Sequence, residues 1–391
     1  MTLVAGLVLL FAVSNASTAW SQVFESRAPR AFLYDVNTRT VLYAQREDDV
    51  FHPSSMSKLV TTAVVFDLLS EGDLSQDTLF EISEDAWRRG GGPSGRAAMF
   101  AELGSDVAVI DLLRGLIVMA ANDGALALAE GAAGSEGAFS GLMTQTASEL
   151  GATNSSFTNA TGATDTVNQT TVRDLVQIAD RLIADHSDLY ALFALPDFTW
   201  NDIFQRNRNP IFGEIDGADG LFAGFNEDAG YGLVGSVVRD GRRVVFALSG
   251  MDTLEGRVDE AQRLVRYAFE DFQTVHVADP GEPIAFARVY GGATREVGLV
   301  APDGALELLL PHEGVDRVRA RVQYEHPMPT PIARGDVVAR LLVERDGTII
   351  QDRPLVASND VERGSMMQRA RDGFFEVLLG WLPPISFAGD F

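Results

Sequence analysis

A run of five residues, Asp279-Pro280-Gly281-Glu282-Pro283, limits what this chain can fold into more than any other feature. Proline lacks the amide hydrogen that helix interiors and central strands need, so neither regular structure passes through the run. The pattern changes there as well. From about 284 to 357 come only short β-like runs and turns, including Asp346-Gly347 between 337–343 and 348–350. That spacing predicts a small all-β unit. Upstream, β-like runs at 31–36 and 41–44 precede a helical stretch from Ser55 to about Leu69. Alanine- and leucine-rich helical pattern covers about 108–150, and a further helix about 171–185. Two β-runs, 231–238 and 243–248, flank the hairpin dipeptide Asp240-Gly241, and a helix follows over about 256–273. This order predicts an α/β unit with a helical insertion.

The ends differ from both units. Residues 3–13 are apolar but too few to span a bilayer, and the small residues Ala16-Ser17-Thr18-Ala19 follow before Trp20. That is the shape of a secretory signal cleaved near Ala19, though it lacks a positive charge before the apolar run. At the other end Met367, Ala370, Phe374, Val377, Leu378 and Trp381 recur at helical spacing. An amphipathic helix of this kind lies in a membrane interface or packs on its own protein, and periodicity favours neither. The expected organisation is therefore a signal at 1–19, an α/β domain at 25–274, a β-rich domain at 275–358 and an amphipathic membrane-associating segment at 359–391.

Composition removes several function classes. Fifty-five acidic against 31 basic side chains, a net charge of −24, would repel nucleic acid. Without cysteine there is no disulfide, thiolate metal site or cysteine nucleophile. The five histidines are scattered, with no metal-binding pair and no motif that would support a serine triad. The basic residues carry the positive signal. Thirty are arginine and one is lysine, Lys58, three residues after Ser55. An arginine keeps its proton in a protein, whereas a desolvated lysine can lose it and act as a base. One helical turn separates Ser55 from Lys58, so the amine is placed to take the hydroxyl proton and make the serine a nucleophile.

Several segments together resemble the low-molecular-mass penicillin-binding proteins that act as serine-type D-alanyl-D-alanine carboxypeptidases. They are His52-Pro53-Ser54-Ser55-Met56-Ser57-Lys58-Leu59, Ile117-Val118-Met119-Ala120-Ala121-Asn122-Asp123, Asn207-Arg208-Asn209 and Ala229-Gly230-Tyr231, with the small β-domain and the terminal helix. The family's three motifs are S-x-x-K, S-G-N and K-T-G. The first is intact here. In the second, Ala120 stands where the family has serine; in the third, Phe222-Ala223-Gly224 replaces K-T-G and Phe225-Asn226 follows.

The resemblance implies a penicillin-binding/β-lactamase-like serine transpeptidase domain, an antiparallel sheet with a helical insertion, followed by the small all-β domain. It implies acylation of Ser55 by a peptidoglycan pentapeptide, release of the terminal D-alanine and hydrolysis by water, with β-lactams as possible acylating ligands and no metal or organic cofactor. Lys58 is then the base, and Asn122 orients the substrate amide or Lys58. The oxyanion donors are the backbone N–H groups of Ser55 and Phe225, and Arg257 and Arg208 receive the substrate carboxylate. Phe222 and Phe225 join the two arginines as expected substrate-binding residues, and Phe222 adds burial beside Lys58 but no charge. Loss of the second-motif serine and third-motif lysine implies slowed turnover. A non-catalytic peptidoglycan-binding scaffold is the alternative those losses leave open; a β-lactamase would lack the terminal β-domain and anchor. The run 88–96, with Gly90-Gly91-Gly92-Pro93, is expected to be a mobile, solvated loop, although the family's equivalent borders the site.

Overall fold

The computed structural model describes residues 24–368 apart from 164–166, 313–316 and 326–327. The expected signal, and the terminal helix beyond residue 368, lie outside the described residues. Alternating apolar residues build β1 (Arg30–Asp35), which pairs antiparallel with β2 (Thr40–Gln45). Successive side chains of a strand face opposite ways, so Phe32 enters one core and Leu33 another.

A 3₁₀ turn, Ser54–Ser57, then leads into α1 (Lys58–Glu71). Its first nine residues are all buried, which makes α1 the central helix of the insertion. A short ribbon of β3 (Leu79–Glu81) and β4 (Asp106–Ala108) precedes three helices, α2 (Val109–Met119), α3 (Asn122–Ala133) and α4 (Glu136–Glu149). The helical pattern over 108–150 is divided because Ala120 and Gly134 both take left-handed backbone conformations, φ 51° and 75°. Such a residue ends a helix and releases the next one. α5 (Val172–Asp185) is capped by Thr171, whose side chain accepts from the Asp174 N–H. A short α6 (Ser187–Tyr190) and the hairpin β5 (Asp197–Trp200) and β6 (Ile203–Arg206) follow.

The sheet resumes with β7 (Ala218–Gly220), β8 (Ala223–Asn226), β9 (Gly230–Arg239) and β10 (Arg242–Met251). Its order is β2-β1-β10-β9, all antiparallel, and β7 and β8 lie in succession along the outer edge of β9. α7 (Leu254–Glu270) covers one face, where Leu33, Phe246 and Leu248 pack with Leu264 and Val265. The insertion covers the other face. Each of these aliphatic or aromatic side chains contributes about 1.5–3 kcal/mol by leaving water.

Beyond α7 the chain is all β. β11 (Phe272–Ala278) pairs with β14 (Leu306–Pro311), and β12 (Ala285–Tyr290) with β13 (Glu296–Val300). β15 (Val318–Tyr324), β16 (Met328–Pro329), β17 (Val337–Arg345) and β18 (Thr348–Ala357) complete it around a separate core that includes Leu299, Leu341 and Leu355. The units meet where Gln351 of β18 pairs with Thr40 of β2 and its buried side chain donates to the Thr38 carbonyl.

Candidate active site

The turn that carries Ser55 is held from both sides. Ser54 has φ 53°, its N–H donates to His52 Nδ1 (3.0 Å), and its hydroxyl donates to the Phe225 carbonyl (2.6 Å). Residues three apart eclipse in a 3₁₀ turn, which brings Ser55 and Lys58 together more directly than α-geometry does. Lys58 Nζ lies 3.4 Å from Ser55 Oγ and donates to the Thr161 carbonyl at 2.5 Å. Ser55 is half-buried, while Lys58 is fully buried.

Burial decides what that lysine is. Its proton affinity falls from the ordinary value of 10.5 to about 7, first because the ammonium is desolvated and second because Arg96 repels it. An ammonium has three donors and no acceptor, so only the amine can take the Ser55 proton. Burial thus brings the neutral amine within reach near neutral pH.

β8 passes directly behind the nucleophile. A Cβ on Gly224 would lie 2.8 Å from the Pro53 carbonyl oxygen and 3.3 Å from Ser55 N, so no side chain fits there. This is why the glycine is the part of the third motif that remains. Phe225, next along, is half-exposed and stacks on Tyr231, ring centroids 4.3 Å apart. Phe222 departs from its expected place among the substrate-binding residues. It is 2 % exposed and packs edge-on against Phe193, so its ring belongs to the core rather than to the substrate cleft. The physical reason is the break between β7 and β8: the Phe222 carbonyl stays on the β9 ladder, accepting from the Val234 N–H (2.8 Å), while the side chain turns toward the insertion.

The second motif sits at the junction of α2 and α3. The left-handed Ala120 turns the chain so that Asn122 begins α3 with its side chain on a pocket of about 180 Å³, lined also by Arg89, Arg96 and Thr161. Asp123 is buried beside it. Burial pushes its carboxyl up, while N–H groups of Met99, Ala101 and Gly124 bond to the carboxylate and oppose that shift.

The segment 88–96 is solvated along most of its length, as expected, but at Gly90 it packs against α3. The segment winds through a helical turn at Ala86–Gly90 and a 3₁₀ turn at Gly92–Ser94. Gly90 is buried, and a Cβ there would lie 2.4 Å from Asp123 N. Arg89 bridges Asp85 (2.6 Å) and Glu136 (2.8 Å). Three glycines in a row permit close packing on α3 as readily as solvation, and only the tertiary contacts separate the two.

The two arginines expected to receive the carboxylate, Arg257 and Arg208, differ in setting. Arg257 of α7 is buried; its Nη1 donates to the carbonyls of Gly232 (3.2 Å) and Gly224 (3.4 Å), and its guanidinium lies 5.5 Å over the Tyr231 ring. Its Nε has no hydrogen-bond partner, and no carboxylate among the described residues pairs with it. Desolvation lowers its proton affinity, the direction expected of a buried cation without an anion. Arg208 is exposed, its N–H bound to the Val118 carbonyl (2.9 Å) and its guanidinium without an acid partner among the described residues. A half-buried serine against a fully buried lysine, with guanidinium groups that lack acid partners, suits acyl transfer from a substrate that ends in a carboxylate.

A family model described as D-alanyl-D-alanine carboxypeptidase matches residues 15–253. The chain belongs to this family. A second model, the C-terminal domain of penicillin-binding protein 5, matches residues 272–363, so the α/β unit and the small all-β domain are those of the low-molecular-mass penicillin-binding proteins. D-alanyl-D-alanine carboxypeptidase DacC of Escherichia coli (strain K12) is 31% identical over 95% of this chain and 94% of its own length. DacA of Haemophilus influenzae is also 31% identical, over 90% and 87%. Among solved structures, penicillin binding protein 5 from Haemophilus influenzae aligns with a TM-score of 0.74 at 30% identity, covering 87% of this chain and 99% of that one.

Two residues beside Lys58 and Asn122, Thr161 and Arg96, escaped the sequence reading. Thr161 acts through its backbone carbonyl, which leaves no residue signature. Arg96 had one, the glycine run five residues before it, but that run was equally a sign of exposure.

Proposed function

We propose that this chain is a serine-type D-alanyl-D-alanine carboxypeptidase that trims the terminal D-alanine from peptidoglycan stem pentapeptides, at a rate reduced by the absence of the third-motif lysine and second-motif serine. The observation that carries the reading is the 3.4 Å contact between Ser55 Oγ and a fully buried Lys58 whose amine is accessible near pH 7. In the proposed cycle Lys58 takes the Ser55 proton as Oγ attacks the penultimate D-alanine carbonyl. The Ser55 and Phe225 N–H groups hold the oxyanion. The peptide C–N bond then breaks, D-alanine leaves with the proton, and water hydrolyses the ester on Ser55. Asn122 orients the substrate amide, and Arg257 and Arg208 hold the terminal carboxylate. Relatives of the same length at about 30% identity named as this carboxypeptidase support the substrate class. Penicillin-binding protein D2 of Listeria monocytogenes, 26% identical with a TM-score of 0.54, has been solved in cefotaxime- and ampicillin-bound forms, which supports β-lactams as acylating ligands.

Fluorescent penicillin tests the reading, with peptide mapping of the adduct and D-alanine release from a pentapeptide stem measured alongside. An adduct on Ser55 with slow D-alanine release is expected; an adduct on Ser54 or Ser57 sinks the assignment. A Ser55 adduct with no release supports the alternative, a substrate-binding homologue without turnover, which Ala120 and the core position of Phe222 favour.

The proposal extends to location and organisation: export by the segment 1–19, a catalytic domain at 25–274, a β-rich domain at 275–358, and attachment to the outer face of the inner membrane through 359–391. No helix among the described residues is long and apolar enough to cross a membrane; the amphipathic spacing of Met367 to Trp381 supports interfacial attachment. Ending the chain at about residue 360 is expected to move the protein from the membrane to the soluble fraction with its penicillin labelling intact. Continued sedimentation with membranes would show that the segment is no anchor.

A further inference from the structure

We propose that Arg96 is a positioning residue of this site, supplying from the glycine-rich loop the positive charge that Phe222 cannot supply. The inference rests on the reading of Lys58 as the base and assigns a residue to its regulation. Arg96 and Thr161 line the same pocket beside Asn122, and the Thr161 carbonyl is the group that holds Lys58 Nζ at 2.5 Å. Arg96, an exposed residue, therefore lines the same pocket as the residue whose carbonyl anchors the amine.

Its backbone is not free to drift. The Arg96 N–H donates to Ser94 Oγ (3.1 Å), the Ala97 carbonyl accepts from the Asn122 N–H (2.8 Å), and Met99 and Ala101 are tied to Asp123. Its charge is also uncompensated, since no acid pairs with Arg96 among the described residues. The charged and titratable groups on the elements around Lys58 are engaged elsewhere. Glu136 of α4 takes Arg89 and the Ala160 N–H. Asp123 of α3 takes three backbone N–H groups, and Asp174 of α5 takes Asn154 N, Ser155 Oγ and the Thr171-capped turn. Asp67 of α1 meets His186, His52 accepts from Ser54 N, and Arg257 is spent on carbonyls behind β8.

Arginine cannot yield its proton, so of two neighbouring cations the lysine must. After burial, Arg96 is the cause that lowers the proton affinity of Lys58. In the family the third-motif lysine occupies the strand side of the nucleophile. Here the strand offers an aromatic core residue, and the compensating charge comes from the opposite wall.

The single lysine makes a direct test practical. The full chain grown with lysine carrying carbon-13 at Cε gives one lysine signal, which is titrated from about pH 5 to 10. The parent and Arg96→Gln each give that one signal, Arg96→Lys adds a second from the exposed position 96 that is set aside, and acylation by fluorescent penicillin is followed across the same range. The parent midpoint is expected at about 7. Arg96→Gln should move it up by roughly half to one pH unit, a threefold to tenfold gain in proton affinity, with the acidic limb of acylation moving equally. Arg96→Lys should keep both near the parent values. An unchanged midpoint in Arg96→Gln overturns the proposal, and so does weakened stem-peptide binding at an unchanged midpoint, which would make Arg96 a substrate contact. If the parent forms no penicillin adduct, the carboxypeptidase reading fails, while the midpoint comparison still decides the role of Arg96.

Discussion

Replacing Lys58 with arginine is expected to cut acylation of Ser55 by about 10²–10⁴-fold, the usual contribution of one positioned proton-transfer group. The charge survives this change, so a role limited to electrostatic attraction would be retained. What disappears is the capacity to be neutral. The pocket around Nζ is dry, and Thr161 supplies a single carbonyl acceptor. A guanidinium in that pocket stays protonated and presents only donors to Ser55 Oγ. Because burying a larger fixed cation also strains the fold, Lys58→Met serves as a partner variant: it is neutral, packs in apolar surroundings, and removes the base. Both should remain folded by circular dichroism and thermal unfolding, and both should label slowly. Labelling of either at the parent rate would show that the amine is structural.

Removal of the Arg257 guanidinium, as Arg257→Leu, should raise KM for a pentapeptide stem by about 10²-fold or more, the scale of losing a desolvated charge-assisted contact. Arg257 spends one nitrogen on the Gly232 and Gly224 carbonyls and leaves a buried Nε with no partner. An uncompensated buried cation is costly, and a substrate carboxylate would relieve that cost on binding. The effect should fall on KM more than on kcat, since the carboxylate is bound in the ground and transition states alike. Penicillin acylation, whose ligand also carries a carboxylate, should weaken in parallel. An unchanged KM would place the carboxylate elsewhere, with exposed Arg208 the next residue to test.

The fate of particular residues shows what was legible beforehand. Ser55 and Lys58 stood out because the spacing of two residues on one turn is a local property, and the turn delivers them 3.4 Å apart whatever surrounds it. Gly224 could be located by motif, yet its necessity became visible only when β8 was seen against the Pro53 carbonyl. Phe222 was given a place beside the substrate because of its position in the motif. Its side chain went to the core because the break before β8 turns it toward Phe193. The loop at 88–96 is largely solvated as expected, but its packing on α3 at Gly90 was missed for a related reason, since glycine runs look alike whether they meet water or a helix.

The helical and strand content, the serine–lysine pair and the exclusion of metal-thiolate and nucleic-acid chemistry were all set by local composition and spacing, whereas the all-β unit begins with β11 at Phe272, ahead of the Asp279–Pro283 run. Short-range sterics and charge decide those matters residue by residue. The proton affinity of Lys58, the unpaired charge of Arg257, the anchoring of Arg96 beside Asn122 and the withdrawal of Phe222 from the cleft were decided by tertiary structure alone. Each depends on how much water is excluded and which distant segment fills the space, and neither quantity is a property of the neighbouring residues in the chain.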